Sequence, residues 1–80
     1  MKAEIKITLK TGVLDPQGKA IERALQALGY DGIADVRQGK FVEIELVGRD
    51  ESEARTKIDK MCQDLLANQV IENYSFELVP

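Results

Sequence analysis

An α+β domain built on an antiparallel sheet is the fold class that the sequence predicts. Both terminal segments alternate apolar and polar residues, as strands do. Two segments between them repeat apolar residues every three or four positions, as helices do. The chain has 80 residues, 44% hydrophobic and 31% charged, which predicts a single domain over residues 1–80 with one modest core.

The first half of the chain predicts one strand and one helix. Every second residue from Ala3 to Leu9 is apolar, which indicates a half-buried strand. An apolar stripe from Pro16 to Leu28 predicts a helix that packs by that stripe, and Gly29 is placed to end it. The stripe consists of Ala20, Ile21, Ala24, Leu25 and Leu28.

The second half predicts extended structure, another helix and a last strand. Residues 33–47 alternate around a turn-forming Gln-Gly-Lys at 38–40, which indicates a hairpin or one long bent strand. Asp50, with a glutamate three residues later, starts the second helix, and Asn68 is expected to end it. The apolar face of this helix comprises Ala54, Ile58, Met61, Cys62 and Leu65. Residues 70–79 alternate again and complete the sheet.

This element order is that of a ferredoxin-like β-α-β-β-α-β plait, in which two helices cover one face of the sheet. The main variant joins strands 2 and 3 into one long bent strand. The first strand is central in the plait, so its lysines would lie beside glutamates of its neighbours. The lysines are Lys2, Lys6 and Lys10, and the glutamates are Glu43, Glu45 and Glu77. The other sheet face stays open, with Phe41 and Val47 adding apolar area, so we expect a dimer or a dimer of dimers.

Composition excludes several classes of function. Fourteen acidic residues outnumber 11 basic ones, giving a net charge of -3, and only four residues are aromatic, so nucleic acid is not expected as a partner. No apolar run is long enough to span a membrane and none resembles a signal sequence, so we expect a cytoplasmic protein. The lone Cys62 agrees with a reducing compartment.

Residues for catalysis are also lacking. The chain has no histidine, which excludes a serine–histidine or cysteine–histidine pair and an ordinary zinc site. Residues 12–19 lack the spacing and the Ser/Thr of a phosphate-binding loop. Cys62 lies on the apolar stripe of the second helix, where a buried packing role is expected. We therefore expect no catalytic residue, no metal site and no cofactor-binding residue in this chain.

Three segments are candidate partner contacts: the loop before the first helix, the turn at 37–40, and the corner after the second helix. In the loop, Asp15 and Pro16 suit a helix start, but the apolar residues beside them are not explained by capping. A solvated turn and core packing at the corner are the alternative interpretations of the other two. The candidate contact residues are Val13, Leu14, Asp15, Gln17, Gly18, Arg37, Lys40, Leu66, Asn68, Ile71 and Glu72.

The chain resembles the PurS family, the small subunit of phosphoribosylformylglycinamidine (FGAM) synthase in de novo purine biosynthesis. The resemblance rests on Leu-Lys-Thr-Gly-Val-Leu-Asp-Pro-Gln-Gly at 9–18, Val-Arg-Gln-Gly-Lys at 36–40 and Met-Cys-Gln-Asp-Leu-Leu-Ala-Asn at 61–68, followed by Val-Ile-Glu-Asn-Tyr at 70–74. These segments span the chain in the family's order. Gln69 departs from the family, which usually has proline there.

The resemblance implies a non-catalytic adaptor in an ATP-dependent, glutamine-using C–N ligase. In that family a glutaminase subunit releases ammonia, and a large synthetase subunit uses ATP and magnesium to form the amidine. The small subunit, a homodimer or homotetramer, joins them. Glutamine, ATP and magnesium would then be used by the complex and not by this chain. The alternative is a dimeric ferredoxin-like domain that senses a small molecule such as an amino acid.

Overall fold

The computed structural model describes all 80 residues as a three-stranded antiparallel sheet with two α-helices. In chain order the elements are β1 (Lys2–Leu9), α1 (Pro16–Ala27), β2 (Gly39–Glu45), α2 (Glu51–Met61), a π-helical turn (Cys62–Leu66) and β3 (Glu72–Val79). Neither helix is long and apolar enough to cross a membrane.

β1 is the central strand of the sheet, whose order is β2-β1-β3. It pairs antiparallel with both neighbours, and Ile5 faces Val42 on one side and Phe76 on the other. The ferredoxin-like α+β class and the central position of the first strand are therefore confirmed. The bounds of β1 and β3 also agree with the alternation in the sequence.

The core lies between β1 and α2. Because side chains alternate along a strand, Ala3, Ile5 and Ile7 all point to the same face, where each is at most 1% exposed. Ile58 and Cys62 of the second helical segment cover them and are fully buried. The packing role expected for Cys62 is confirmed, and burial raises the pKa of its thiol.

The π-helical turn changes which leucine packs inward. The apolar stripe of the second helix predicts Leu65 in the core, yet Leu65 is 83% exposed while Leu66 packs against the core. A π-turn accommodates one extra residue per turn, which rotates the side chains that follow it around the helix axis. The sequence prediction was wrong at Leu65 for that reason.

The stretch 33–38 does not form a strand. It has no regular secondary structure, and β2 begins only at Gly39, so the hairpin around 38–40 is absent. Gly32, with a φ of +76°, directly precedes this stretch. The backbone amide of Gln38 is bonded to a side chain and not to a neighbouring strand, which removes it from any ladder.

The first helix forms as predicted but does not pack into the core. It ends in a Schellman arrangement: the amide of Gly29, at a φ of +95°, donates to the carbonyl of Gln26, and that of Tyr30 to Leu25. Its one buried residue is Gly18, and no residue of α1 belongs to the core cluster. The prediction that its apolar stripe packs within the chain was wrong, because the helix projects from the sheet.

The overall shape reflects that projection. The Cα radius of gyration is 16.0 Å, and the principal extents are 48 × 26 × 15 Å. A compact chain of this length would have a radius of gyration of about 12 Å. The molecule is thus a sheet-and-helix body with a long protrusion.

The strand register pairs charges differently from the prediction. Lys2 approaches Glu43 at 3.9 Å, but Lys6 and Lys10 form no ion pair with the predicted glutamates. Glu4 instead lies directly opposite Glu43 on one side and opposite a third glutamate on β3 on the other. The register is set by the apolar face, and the exposed charges adapt to it, because each such pair is energetically small.

Candidate subunit interface

The protrusion consists of α1 and residues 28–38, which follow α1 and return along it; together we call them the arm. The arm leaves the sheet after β1 and rejoins it at β2. Residues 10–18 and 36–39, where these two connections lie side by side, form what we call the elbow. Because β1 and β2 are neighbours in the sheet, both covalent links to the arm pass through this one place.

Asp15 lies at the centre of the elbow and is only 8% exposed. One carboxylate oxygen accepts a hydrogen bond from the amide of Gly18 at 2.8 Å, which caps α1. The other accepts from the amide of Gln38 at 2.8 Å. One side chain therefore ties the start of the helix to the end of the returning segment.

These two amides also set the acidity of the carboxyl group. The hydrogen bond from Gln38 and then that from Gly18 hold the pKa of Asp15 below its usual 3.8, and the positive charge of Arg37 acts in the same direction. Asp15 is thus ionised under neutral conditions and accepts both bonds as a carboxylate.

Two further contacts cross the elbow. A guanidinium nitrogen of Arg37 donates to the backbone carbonyls of Leu9 at 2.7 Å and Lys10 at 2.9 Å. The amide side chain of Gln38 donates to that of Gln17 at 2.6 Å. Arg37 and Gln17, both predicted as partner contacts, therefore already make hydrogen bonds within the chain, and both remain exposed.

A close backbone approach completes the elbow. A Cβ on Gly18 would collide with the carbonyl oxygen of Val36 and lie 2.7 Å from the carboxylate of Asp15. Glycine is therefore required here for packing, although it is a poor residue inside a helix. This explains Gly18, which capping alone does not.

The apolar face of the arm is largely open to solvent. Leu28 is 74% exposed and Ile21 39%, and Ala20 and Ala24 on the same face are also exposed. Leu25 is half-buried. These residues were predicted as core and not as a contact surface; the sequence signals the stripe but does not say what covers it.

The corner between the π-helical turn and β3 is a second apolar surface. Asn68 organises it, because its side-chain oxygen accepts from the amide of Val70 at 3.1 Å and its own amide donates to Glu72 at 2.7 Å. This turn leaves Val70 82% and Ile71 38% exposed. Leu66 is turned inward, which agrees with core packing at its position.

A cleft of about 510 Å³ lies where the elbow meets the sheet. Lys40 of β2 and Glu72 of β3 reach across β1 to within 3.8 Å of each other at its edge, and Leu9 and Asp15 also line it. The chain has no group of three or more histidine, cysteine or carboxylate side chains placed to hold a metal ion.

The candidate contact residues thus fall into three groups by burial. The exposed ones are Leu14, Gln17, Arg37, Lys40, Asn68 and Ile71; the half-buried ones are Val13, Leu66 and Glu72; the buried ones are Asp15 and Gly18. All except the corner residues gather at or beside the elbow. Their contacts with a partner stay a prediction.

Similarity to known proteins covers almost the whole chain. Residues 2–80 match the family described as PurS: Phosphoribosylformylglycinamidine (FGAM) synthase. The chain belongs to the PurS family. It is 53% identical over 74 residues to the FGAM synthase subunit PurS of Synechocystis, an alignment that covers 92% of this chain and 74% of that protein.

Solved PurS structures share the fold. The PurS of Methanocaldococcus jannaschii, one of the subunits of formylglycinamide ribonucleotide amidotransferase, matches with a TM-score of 0.83 at 38% identity and covers 95% of this chain and 92% of that one. A chain of PurLQS from Thermotoga maritima matches with a TM-score of 0.88 at 30% identity, covering 98% and 95%. The resemblance and the assignment as an FGAM synthase subunit are confirmed, and these relatives give no support to the amino-acid sensor.

Proposed function

We propose that this PurS chain is a non-catalytic adaptor that joins the glutaminase and synthetase subunits of FGAM synthase and associates with itself through the arm. The observation that carries the proposal is the open apolar face of α1. An amphipathic helix whose stripe finds no core in its own chain requires a partner to cover it.

A second copy of the chain is the partner that the fold favours for this face. A ferredoxin-like sheet normally carries two helices, and here α2 alone lies over it. Val42, Ile44 and Leu46 of the sheet's helical side are consequently only half-buried. Two chains that exchange their arms would each cover the other's gap, which gives the symmetric interface that most homo-oligomers use.

The larger subunits would then meet surfaces outside the arm stripe. The corner, with Val70 and Ile71, is one such surface, and the open sheet face around Phe41, which is 51% exposed, is another. In this proposal glutamine, ATP and magnesium are bound by the partner subunits, and the complex works in the cytoplasm.

A stripe variant with a charge-matched control tests the proposal. Ile21→Glu combined with Leu28→Glu places two negative charges on the apolar face, whereas Arg23→Gln with Gln26→Glu changes the charge equally off the stripe. Sedimentation velocity should show loss of self-association for the first variant only. Unchanged association of the stripe variant would contradict the self-association part.

The adaptor role is tested separately with the larger subunits. Glutaminase and synthetase subunits, mixed with glutamine and Mg-ADP, should co-sediment when the wild-type chain is present and fail to do so without it. Complex formation that is independent of this chain would overturn the adaptor role.

A further inference from the structure

We propose that Asp15 is a positioning residue that fixes the direction of the arm relative to the sheet, and thereby presents the arm to its partner. The purpose of this orientation rests on the proposed self-association. The role of Asp15 within the chain does not depend on self-association. That role follows from the contacts at the elbow.

Packing in the hydrophobic core does not hold the arm in place. No residue of α1 belongs to the hydrophobic cluster, so burial of α1 against the body does not set its angle. The angle must come from the two connections at the elbow, which join the arm to adjacent strands.

Asp15 ties these two connections to each other. Its two oxygens accept from the amides of Gly18 and Gln38, both at 2.8 Å, which lie in the outgoing and the returning connection. Arg37 adds bonds from the returning connection to the carbonyls of Leu9 and Lys10. Two connections joined at several points cannot rotate independently, so the elbow becomes a stiff joint.

Asp15 differs from an ordinary helix cap. Asp50 caps α2 in the same way, accepting from the amide of Glu53 at 3.1 Å, but its side chain makes no second backbone contact. Asp15 caps α1 and, in addition, holds Gln38. Capping α1 does not require the bond to Gln38, whereas holding the two connections together does.

The substitutions follow from that difference. Asparagine and serine are good caps, so Asp15→Asn and Asp15→Ser keep the bond to Gly18. The amide nitrogen of asparagine cannot accept from the amide of Gln38, and serine has only one oxygen. Both variants thus remove the lock and keep the cap, and Asp50→Asn is the matched control on α2.

The direct measurement is the distance between the arm and the sheet. Nitroxide labels at Gln26→Cys and Ser75→Cys, both exposed positions, report it by double electron–electron resonance; Cys62 is fully buried and does not react. Dilution with unlabelled protein restricts the signal to distances within one chain. We expect a narrow distribution in the wild type and with Asp50→Asn, and a broad one with Asp15→Asn and Asp15→Ser.

The consequence for assembly is measured by sedimentation on the unlabelled variants. If the arm points correctly in about a tenth of the molecules, the apparent dissociation constant for self-association rises about a hundredfold, because both chains of a pair must present the arm. Gly18→Ala should have the same effect, because its Cβ would push against Val36 even though alanine is the better helix former.

The outcomes distinguish the inference from the proposed function. A narrow distribution in both Asp15→Asn and Asp15→Ser overturns the positioning role, whatever the assembly state. A broad distribution with unchanged assembly overturns the link to presentation. If the stripe variant Ile21→Glu/Leu28→Glu still self-associates, the proposed interface fails, while the distance measurement decides the role of Asp15 on its own.

Discussion

The two helices begin in the same way and differ in what their apolar faces contact. α1 and α2 have 12 and 11 residues, and each starts at an aspartate whose side chain accepts from an amide three residues on. α2 buries Ala54 and Ile58 against the sheet, whereas α1 buries only a glycine at the elbow. The same amphipathic pattern thus packs into the core in α2 and forms an open surface in α1.

The difference teaches that an apolar stripe specifies that a helix has a partner, but not which chain supplies it. Burial of apolar area is non-directional, so the stripe of α1 can be buried equally well against the sheet of its own chain or that of another chain. The elbow decides between them, because it points the helix away from its own sheet.

The largest expected effect contrasts one isoleucine from each helix. Ile58→Ala opens a cavity in a fully buried site and should lower the free energy of unfolding by about 2–5 kcal/mol at any protein concentration. Ile21→Ala should lower it only where the chain self-associates, so the loss disappears on dilution. Urea denaturation over a range of concentrations checks both, and an equal, concentration-independent loss would place α1 in the core of its own chain.

The next effect compares the two caps. Asp50→Ala removes only a cap and should lower the free energy of unfolding by about 0.5–2 kcal/mol. Asp15→Ala should additionally increase hydrogen exchange in the returning segment, because Gln38 loses its acceptor. Hydrogen-exchange mass spectrometry checks this; exchange at 36–38 as slow as in the wild type would show that the carboxylate does not hold the returning segment.

A smaller effect is expected from acid. The pKa of Asp15 is lower in the folded chain than its usual 3.8, so ionised Asp15 stabilises the elbow. This stabilisation is fully present at pH values above the usual pKa and is lost as the pH falls through the lowered pKa. The arm should therefore loosen below about pH 4. The distance distribution between arm and sheet, recorded from pH 6 to pH 2, checks this, and the same titration of Asp15→Asn should show no transition from this group.

The smallest effect is one in which the helices should not differ. Lys19 pairs with Glu22 at 3.1 Å on α1, and Lys57 pairs with Glu53 at 3.1 Å on α2. Both lysines are more than half exposed, so Lys19→Gln and Lys57→Gln should each cost about 0.3–0.5 kcal/mol, less at high salt. Thermal unfolding at two salt concentrations checks both variants. A much larger loss of stability for Lys19→Gln than for Lys57→Gln would show that the Lys19–Glu22 pair has a further role in the arm.

Much of the fold could be predicted because it depends on local periodicity. Alternation along β1 predicted the buried face of Ala3, Ile5 and Ile7, and the aspartate caps predicted where both helices begin. The strand order followed from the order of the elements. The errors arose where a long-range contact overrode the local pattern.

Two of those errors have a clear physical cause. Residues 33–38 alternate like a strand, but Asp15 takes the amide of Gln38 that a ladder would need. Leu65 lies on the apolar stripe of the helix, but the π-turn before Ala67 exposes Leu65 and turns Leu66 inward instead. Neither the bond across 23 residues nor the extra residue in the turn leaves a signal in the periodicity.

The loop before α1 shows the same division at the candidate interface. Its residues sufficed to recognise Asp15 as a cap and, together with the segments at 36–40, 61–68 and 70–74, to recognise the family as PurS, because both depend on residue types at fixed spacing. That Asp15 is buried, that Gly18 meets Val36, and that Leu14 remains exposed depended on how the returning segment folds back.

By itself the sequence determined most of the secondary structure, the sheet order, the absence of histidine chemistry and the family, since these depend on composition and on patterns of a few residues. Only the tertiary structure decided that the arm projects and that its apolar stripe stays open. The reason is that a helix direction is set by contacts at the elbow between residues far apart in the chain, and a stripe of apolar residues has no preference for the chain that covers it.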